Sequence, residues 1–225
     1  MSEKTHQNPS FFYDKKEFPF LLKLEDHIEI IKTELLNLIE NKQEKKWLEA
    51  FPAYVKSSNR KAWSTYTLQF FQMKNELNAA ICPKLFELIQ SIPEVITSEF
   101  SFLKPKSKIL AHKGFSKMIL RAHLPLIVPK GDTCAIRVGD ETHFWKEGEL
   151  VIFDDSFDHE AWNDSDDFRV ILMIDIPNPR WNYSANEISK YKIEHFDDPF
   201  LLSIASKEQW LKFYQDRRLP LEEFD

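Results

Sequence analysis

The chain has 225 residues, 43% of them hydrophobic and 14% aromatic, which is enough for one large domain or two small ones with a substantial core. Its formal charge of −6 argues against general binding of nucleic acid or of an anionic membrane, because both require a cationic surface. Two cysteines cannot form a disulfide scaffold, no run approaches the ~18 apolar residues of a membrane span, and no signal-peptide pattern is present, so a cytoplasmic protein is expected.

The first part of the chain has mainly helical patterns. Residues 1–10 are polar and are expected to form a flexible N-terminus. Apolar residues from Leu24 to Ile39 recur at steps of three and four, which predicts an amphipathic helix. Residues 63–71 predict a strand, and residues 83–91 predict a second helix with proline in its first turn. Residues 11–94 are therefore interpreted as the helical flank of the domain.

After residue 95 the pattern changes to short runs rich in Val, Ile, Phe and Leu. These runs are EFSFL, KILAH, MILRAHLPLIV, CAIRV, HFW, LVIF, HEAWN and FRVILMIDI, with turn residues between them. Such spacing predicts a mainly β core over residues 95–179, built as a barrel or a double-sheet jelly roll. We assign residues 11–183 to a single domain. Residues 184–225 form a C-terminal helical extension, which the Asp-Asp-Pro sequence at 197–199 divides into two pieces.

Two histidines of the predicted β core are candidate metal ligands. His112 ends one predicted strand, and His159 lies between two strong ones. Because a barrel brings strand ends together at its mouth, these side chains can converge. Neutral imidazole suits Fe(II), and an iron oxygenase also requires open coordination positions.

Two arginines lie within apolar strands. Arg169 interrupts the run FRVILMI, and Arg121 stands two residues before His123, so Arg121 and His123 share one face of their strand. Burial of a guanidinium is costly unless it pairs with an anion, and two such arginines facing into a barrel suggest a dicarboxylate ligand. The residues alone leave a structural alternative open, in which Arg169 pairs with an aspartate of the stretch 154–158.

A family resemblance is visible in the same segments. The stretch RAHLPLIVPKGDTCAIRVGDETHFWKEGELVIFDDSFDHEAWNDSDDFRVILMIDI resembles the aspartyl/asparaginyl β-hydroxylases, which are Fe(II)- and 2-oxoglutarate-dependent oxygenases. The similarity extends back through FSFLKPKSKILAHKG and CPKLFELIQSIP to FFYDKKEFPFLLKLE, so it covers residues 11–179. It implies a double-stranded β-helix core (a cupin-like jelly roll) with α-helices at both ends.

The resemblance also implies how iron is bound. His112 and His159 would be the two iron-binding histidines. Gly114 occupies the position where most of the wider superfamily has a carboxylate, and the β-hydroxylases themselves have glycine there, with solvent in the third site. Asp155 would hold that water molecule.

The resemblance assigns four residues to 2-oxoglutarate. Ser101 and Arg169 would bind its distal carboxylate. Arg121 and His123 would hold the carboxylate next to its keto group. This assignment agrees with the dicarboxylate expected from the two buried arginines.

The implied enzyme is a dioxygenase that uses Fe(II), 2-oxoglutarate and O₂ to hydroxylate an unactivated carbon, with succinate and CO₂ as co-products. The first expectation for the substrate is the β-carbon of an Asp or Asn residue or of an amino-acid derivative, and the alternative is a lipid acyl chain. Members that act on epidermal-growth-factor-like domains have basic residues near the substrate carboxylate, whereas the matching positions here are Ile119 and Glu99. They also have a membrane anchor and a helical repeat region, which 225 residues do not accommodate. We therefore expect the same chemistry on a different target.

Two hypotheses of other classes remain open. One is a metal-binding β-barrel that binds a small molecule without oxygenase activity, and the presence of both Arg121 and Arg169 argues against it. The other is an interaction module in which the helices at 184–218 form the docking surface, and the intact histidine pair argues against that. The expected partner is a small-molecule or peptidyl substrate, with no nucleic acid and no membrane span. The oligomeric state stays open, as does the choice between a lid and a dimer contact for residues 184–218.

Overall fold

The structure is a computed structural model that describes residues 11–40 and 47–220. The predicted flexible terminus at residues 1–10 lies outside the described residues. Within the two described ranges the strands are β1 (Phe12–Tyr13), β2 (Leu48–Glu49), β3 (Val55–Lys56), β4 (Trp63–Phe70), β5 (Met73–Lys74), β6 (Thr97–Leu103), β7 (Ser107–His112), β8 (Ile119–Ile127), β9 (Cys134–Val138), β10 (Glu141–Phe144), β11 (Val151–Phe153), β12 (His159–Asn163) and β13 (Arg169–Pro177). The α-helices are α1 (Lys23–Asp26), α2 (Ile28–Glu40), α3 (Glu76–Ile81), α4 (Pro83–Gln90), α5 (Ala185–His195), α6 (Pro199–Ile204) and α7 (Lys207–Asp216).

The strands form two antiparallel sheets. The larger has the order β1-β11-β8-β13-β6-β4-β2, with β5 paired to β4, and the smaller has the order β10-β9-β12-β7-β3. An apolar cluster that includes residues of both sheets fills the space between them, so the two sheets face each other. The fold is therefore a mainly β jelly roll with flanking helices, as predicted from the sequence. The segment 11–94, interpreted from the sequence as a helical flank, is only partly helical, because it also contributes β1, β2, β4 and β5 to the larger sheet and β3 to the smaller one.

Alternation along the larger sheet separates two cores. Even-numbered residues of β8 and β13 pack with α2 and α4 in one apolar cluster, because successive side chains of a strand point to opposite faces. Odd-numbered residues point into the barrel. The polar residues on the inward faces of β6, β8 and β13 include Glu99, Ser101, Arg121, His123, Arg169 and Asp175.

The strand predictions are confirmed to within two residues at each end. The run HFW was expected to be a strand through Trp145, but β10 ends at Phe144. This strand pairs with β9 across the Gly139-Asp140 turn, with Glu141 opposite Val138. Trp145 instead lies buried beside His123, with ring centroids 5.8 Å apart.

The helix predicted from Leu24 to Ile39 is divided into α1 and α2. The break lies at His27, whose backbone angles (φ −110°, ψ 17°) depart from helical values although its N–H still bonds to the Lys23 carbonyl. The His27 Nδ1 atom also lies 2.8 Å from the Lys23 carbonyl oxygen, so this carbonyl has a side-chain as well as a backbone contact at the break. The strand predicted at 63–71 and the helix predicted at 83–91 are confirmed as β4 and α4.

The C-terminal extension forms three helices, so the prediction of two pieces was wrong. The additional break precedes α7, where the Ser206 hydroxyl accepts a hydrogen bond from the Gln209 backbone and so caps the helix. All three helices pack on the core through buried side chains such as Ile188, Leu201 and Trp210. No helix in the described ranges is long and apolar enough to cross a membrane.

Candidate active site

Two histidines face each other across neighbouring strands of the smaller sheet. His112 ends β7 and His159 begins β12, the two are register partners, and their ring centroids are 4.3 Å apart. The Nδ1 atom of His112 lies 2.8 Å from the Leu110 carbonyl oxygen, and that of His159 lies 3.0 Å from the Phe157 carbonyl oxygen. A proton on each Nδ1 satisfies these carbonyls and leaves both Nε2 lone pairs free to bind a metal.

Both imidazoles are kept neutral by burial. Burial lowers the pKa of His112, and burial together with the neighbouring His112 lowers the pKa of His159 to about 3. Since neutral imidazole is the form that ligates metals, the pair is ready to bind a cation near neutral pH.

The space beside Gly114 is filled from the turn that follows β11. The Gly114 N–H donates to the Asp155 carbonyl oxygen at 2.7 Å, and a Cβ added at Gly114 would lie 2.1 Å from Asp155 Oδ2. The Asp155 carboxylate therefore occupies the space that a side chain at 114 would need. Its Oδ1 is buried and has no hydrogen-bond partner in the described part of the chain. In the same part no group of three or more His, Cys, Asp or Glu side chains can hold a metal, so the candidate protein ligands are the two imidazoles.

An inner cavity of about 30 Å³ lies between the two sheets. Its lining combines the histidine pair with Ser101, Arg121, His123 and Arg169 and with apolar residues such as Ile109, Phe153 and Met173. The cavity therefore brings the iron-ligand candidates and all four co-substrate candidates to one place.

Arg169 is buried in this cavity without a counter-charge. Its Nη1 donates to the Ser101 carbonyl oxygen at 2.9 Å and contacts the Ser101 hydroxyl at 3.3 Å. The guanidinium carbon lies 4.8 Å from the centre of the Trp145 ring. No carboxylate in the described ranges pairs with Arg169, and burial lowers its pKa to about 10. The structural alternative, in which an aspartate of 154–158 would pair with Arg169, is therefore wrong.

Several polar atoms around Arg169 also lack partners. They are Nε of Arg169, Nε1 of Trp145 and both ring nitrogens of His123, all buried and without hydrogen bonds to any described residue. Burial holds the pKa of His123 well below its usual value, so its neutral ring offers one N–H. An unpaired buried donor costs about 1–3 kcal/mol. A group of such donors fits an acceptor-rich ligand such as a carboxylate.

Arg121 is bound in a different way. Its Nε and Nη2 donate to the two oxygens of Asp175 at 2.8 and 2.9 Å, and its Nη1 lies 3.4 Å from Asp155 Oδ2. Burial opposes the charge of Arg121, but the two carboxylates raise its pKa overall. Asp175 was not identified from the sequence. The sequence nevertheless contained an indication. Asp175 follows Arg169 by an even number of positions on β13, so its side chain lies on the same inward face of an apolar strand.

A larger outer cavity of about 130 Å³ shares Trp63, His112, Arg121 and Met173 with the inner one. Its aromatic walls include Phe51, Tyr54, Phe70, Phe115, Phe200 and Trp210, and its acidic residues are Glu49, Glu99, Asp175 and Asp198. Because α6 and α7 contribute Phe200 and Trp210, the C-terminal extension forms one wall of the space beside the histidine pair. Of the two positions expected to differ from peptide-hydroxylating members, Glu99 lines this cavity, whereas Ile119 is buried beneath the extension.

Comparisons with known proteins give consistent matches. A family model described as aspartyl/asparaginyl beta-hydroxylase matches residues 25–179. The ornithine lipid ester-linked acyl 2-hydroxylase of Rhizobium tropici is 37% identical over 169 residues, which cover 74% of this chain and 60% of that protein. The human aspartyl/asparaginyl beta-hydroxylase is 37% identical over 122 residues, which cover 52% of this chain and 16% of that protein. The chain therefore spans less than two thirds of the length of either relative.

Among solved structures, a prolyl-4-hydroxylase from Pseudomonas putida aligns with a TM-score of 0.46 and 14% identity, covering 71% of this chain and 100% of that chain.

Proposed function

The chain belongs to the aspartyl/asparaginyl β-hydroxylase family, and from this premise we propose that it is an Fe(II)- and 2-oxoglutarate-dependent dioxygenase that hydroxylates an unactivated carbon. The observation that supports the proposal most strongly is the neutral histidine pair beside a group of buried, unpartnered donors around Arg169. When bound, Fe(II) and 2-oxoglutarate supply the chemistry that inserts one oxygen atom of O₂ into a C–H bond, with succinate and CO₂ as co-products.

His112 and His159 would hold the metal through Nε2. The carbonyls of Leu110 and Phe157 fix both rings, so the two ligand atoms keep their orientation without further support. Asp155 would accept a hydrogen bond from solvent at the third protein-facing position, since its buried Oδ1 has no other partner in the described residues.

The two carboxylates of 2-oxoglutarate would be bound separately. Arg169 and Ser101 would bind the distal carboxylate, which provides the counter-charge that Arg169 lacks. His123 and Arg121 would hold the carboxylate next to the keto group. A guanidinium has five N–H groups, so Arg121 keeps donors for a ligand even while Asp175 and Asp155 are bound to it. The apolar lining excludes water and so strengthens these charge interactions.

Two substrate classes follow from the family. The first is the β-carbon of an Asp or Asn residue or of an amino-acid derivative, and the second is a lipid acyl chain. The outer cavity favours the second, because its walls are mainly aromatic and Glu99 would repel a substrate carboxylate. The Rhizobium tropici relative is, by its name, a hydroxylase of an ester-linked acyl chain. A cytoplasmic location and a small-molecule or peptidyl substrate stay part of the proposal.

The test does not require the substrate. Purified protein is mixed anaerobically with Fe(II) and 2-oxoglutarate, and the weak visible metal-to-ligand charge-transfer band of the chelate is recorded. We expect the band in the wild-type protein, its loss in His159→Ala, and a shift to higher 2-oxoglutarate concentration in Arg169→Ala. The matched controls are His195→Ala and Arg60→Ala, which alter exposed residues away from the cavities and should leave the band unchanged.

A folded, iron-loaded wild-type protein without the band would contradict the proposal. It would favour the metal-binding barrel without oxygenase activity. Unchanged 2-oxoglutarate affinity in Arg169→Ala would contradict the assignment of Arg169 alone.

A further inference from the structure

Glu99 is a buried carboxylate that points into the outer cavity. Its side chain lies on the inward face of β6, and the residue is 8% exposed. Oε2 accepts a hydrogen bond from the Thr67 hydroxyl at 2.8 Å, whereas Oε1 accepts none from the described residues. Because Glu99 lines the cavity and its Oε1 accepts no bond from these residues, this oxygen is available to a donor on a ligand.

The charges around Glu99 do not balance within the protein. Arg121 is already paired with both oxygens of Asp175 and also faces Asp155, so three buried carboxylates face one guanidinium. The other cations are Lys113, which lines the cavity, and Lys192, which donates to the Phe115 carbonyl and faces Asp155. Burial raises the pKa of Glu99 to about 7 despite the opposing effects of Thr67 and Arg121.

The outer cavity that Glu99 lines has mainly aromatic walls, and one of these aromatic residues, Phe51, has an unusual backbone conformation. The Phe51 ring lies 4.5 Å from that of Phe200 and stacks at 5.8 Å on Trp63. Phe51 has a φ of 38°, a left-handed conformation that a bulky residue rarely adopts. Aromatic faces combined with a carboxylate are suited to binding an ammonium group.

We infer that the outer cavity selects substrates that bear a protonated primary amine, with the ammonium bound by Glu99 and an attached aliphatic portion against the aromatic wall completed by α6 and α7. A substrate carboxylate would be repelled at the same place. The ligand's status as substrate rests on the proposed hydroxylase function, whereas the cation site itself does not.

The test compares three six-carbon ligands, n-hexylamine, hexan-1-ol and hexanoate, on the wild-type protein without iron or 2-oxoglutarate. Binding is followed by tryptophan fluorescence, since Trp63 and Trp210 line the cavity, and by titration calorimetry. We expect hexylamine to bind roughly ten-fold more tightly than hexanol, as a hydrogen bond to a charged group implies, and hexanoate to bind most weakly.

Two variants and a control separate charge recognition from apolar binding. Glu99→Gln should bring hexylamine to the affinity of hexanol, while Glu141→Gln, at an exposed position on β10, should change nothing. Phe200→Ala should weaken the binding of all three ligands by the same factor and preserve the preference for hexylamine over hexanol.

Equal binding of hexylamine and hexanol by folded wild-type protein would overturn the inference, as would a preference that survives in Glu99→Gln. The comparison of ligands in the wild-type protein stands even if Glu99→Gln fails to fold. Because neither metal nor co-substrate is present, failure of the charge-transfer test leaves the amine preference unaffected. A normal charge-transfer band without the amine preference would remove only this inference.

Discussion

The barrel interior contains two buried arginines, one at each end, and they differ in whether a carboxylate of the protein pairs with them. At one end, Arg121 is bound by both oxygens of Asp175 and faces Asp155, and these carboxylates raise its pKa. At the other end, Arg169 bonds to the Ser101 oxygens and contacts the Trp145 ring, no carboxylate in the described ranges pairs with it, and burial lowers its pKa to about 10. The charge of Arg121 is thus neutralised by carboxylates of the protein, whereas that of Arg169 would be neutralised only by a bound ligand.

This contrast has an energetic consequence. A buried charge without a counter-charge carries a desolvation penalty of several kcal/mol, so Arg169 is expected to reduce the stability of the ligand-free protein. A carboxylate that binds there recovers this penalty as affinity. Stability is therefore expected to depend mainly on the carboxylates around Arg121, and binding of the distal carboxylate of 2-oxoglutarate on Arg169.

The largest effect is expected from removing a carboxylate that neutralises Arg121. Asp175→Asn leaves Arg121 buried with its main counter-charge removed, which should lower the free energy of unfolding by about 3–5 kcal/mol. Urea unfolding measures the loss. The control is Asp158→Asn, which removes a 2.9 Å ion pair with Arg137 whose aspartate side chain is 51% exposed, and about 1 kcal/mol or less is expected there. Similar losses in the two variants would show that Arg121 does not need Asp175.

Substitution of Arg169 should change the affinity for 2-oxoglutarate rather than the free energy of unfolding. Arg169→Met keeps the volume of the side chain but removes its charge. The binding free energy of 2-oxoglutarate should therefore become less favourable by about 2–5 kcal/mol, which corresponds to a roughly thirty-fold to a few thousand-fold weaker affinity. Calorimetric titration of the Fe(II)-loaded protein measures this, and urea unfolding should show unchanged or increased stability. The matched ligand is 2-oxopentanoate, which has a methyl group instead of the distal carboxylate and should bind both proteins alike. An equal loss of affinity for both ligands would mean that Arg169 does not bind the distal carboxylate.

The sequence predicts this arrangement only in part, for physical reasons. The alternation of β8 was enough to place Arg121 and His123 on one face, because strand geometry fixes the direction of successive side chains. The identity of the partner of Arg121 could not be predicted in this way, since Asp175 lies 54 positions away and meets it only through the pairing of β13 with β8. The cavity wall formed by the C-terminal extension was equally hidden, because a helical pattern does not specify what the helix covers.

A smaller loss of stability is expected from crowding Asp155, which faces Arg121 and lies against Gly114. Gly114→Ala places a Cβ within 2.1 Å of Asp155 Oδ2 and should destabilise the protein by about 1–3 kcal/mol, the usual range for overpacking. Adding Asp155→Ala makes room for the new methyl group, so the double variant should be more stable than the sum of the two single changes predicts. The cycle is measured by urea unfolding, and strict additivity would contradict the steric explanation of glycine at 114.

The last prediction concerns the surplus negative charge around Arg121, whose effect develops gradually with pH. Burial raises the pKa of Glu99 from 4.5 to about 7, so the folded state binds its proton more tightly than the unfolded state does. The resulting stability is fully present below pH 4.5 and is lost as the pH rises through about 7. The stability of the wild-type protein relative to Glu99→Gln should therefore fall between about pH 5 and pH 7, by at most about 1.4 kcal/mol per pH unit. Urea unfolding across this range measures the difference, with Glu141→Gln as the exposed control. Asp155, whose pKa burial also raises, contributes in the same direction in both proteins, so it cancels in the comparison unless Glu99 alters its titration. Parallel stability curves for the wild-type protein and Glu99→Gln would mean that Arg121 also neutralises Glu99, and the carboxylates around Arg121 would then have no surplus charge.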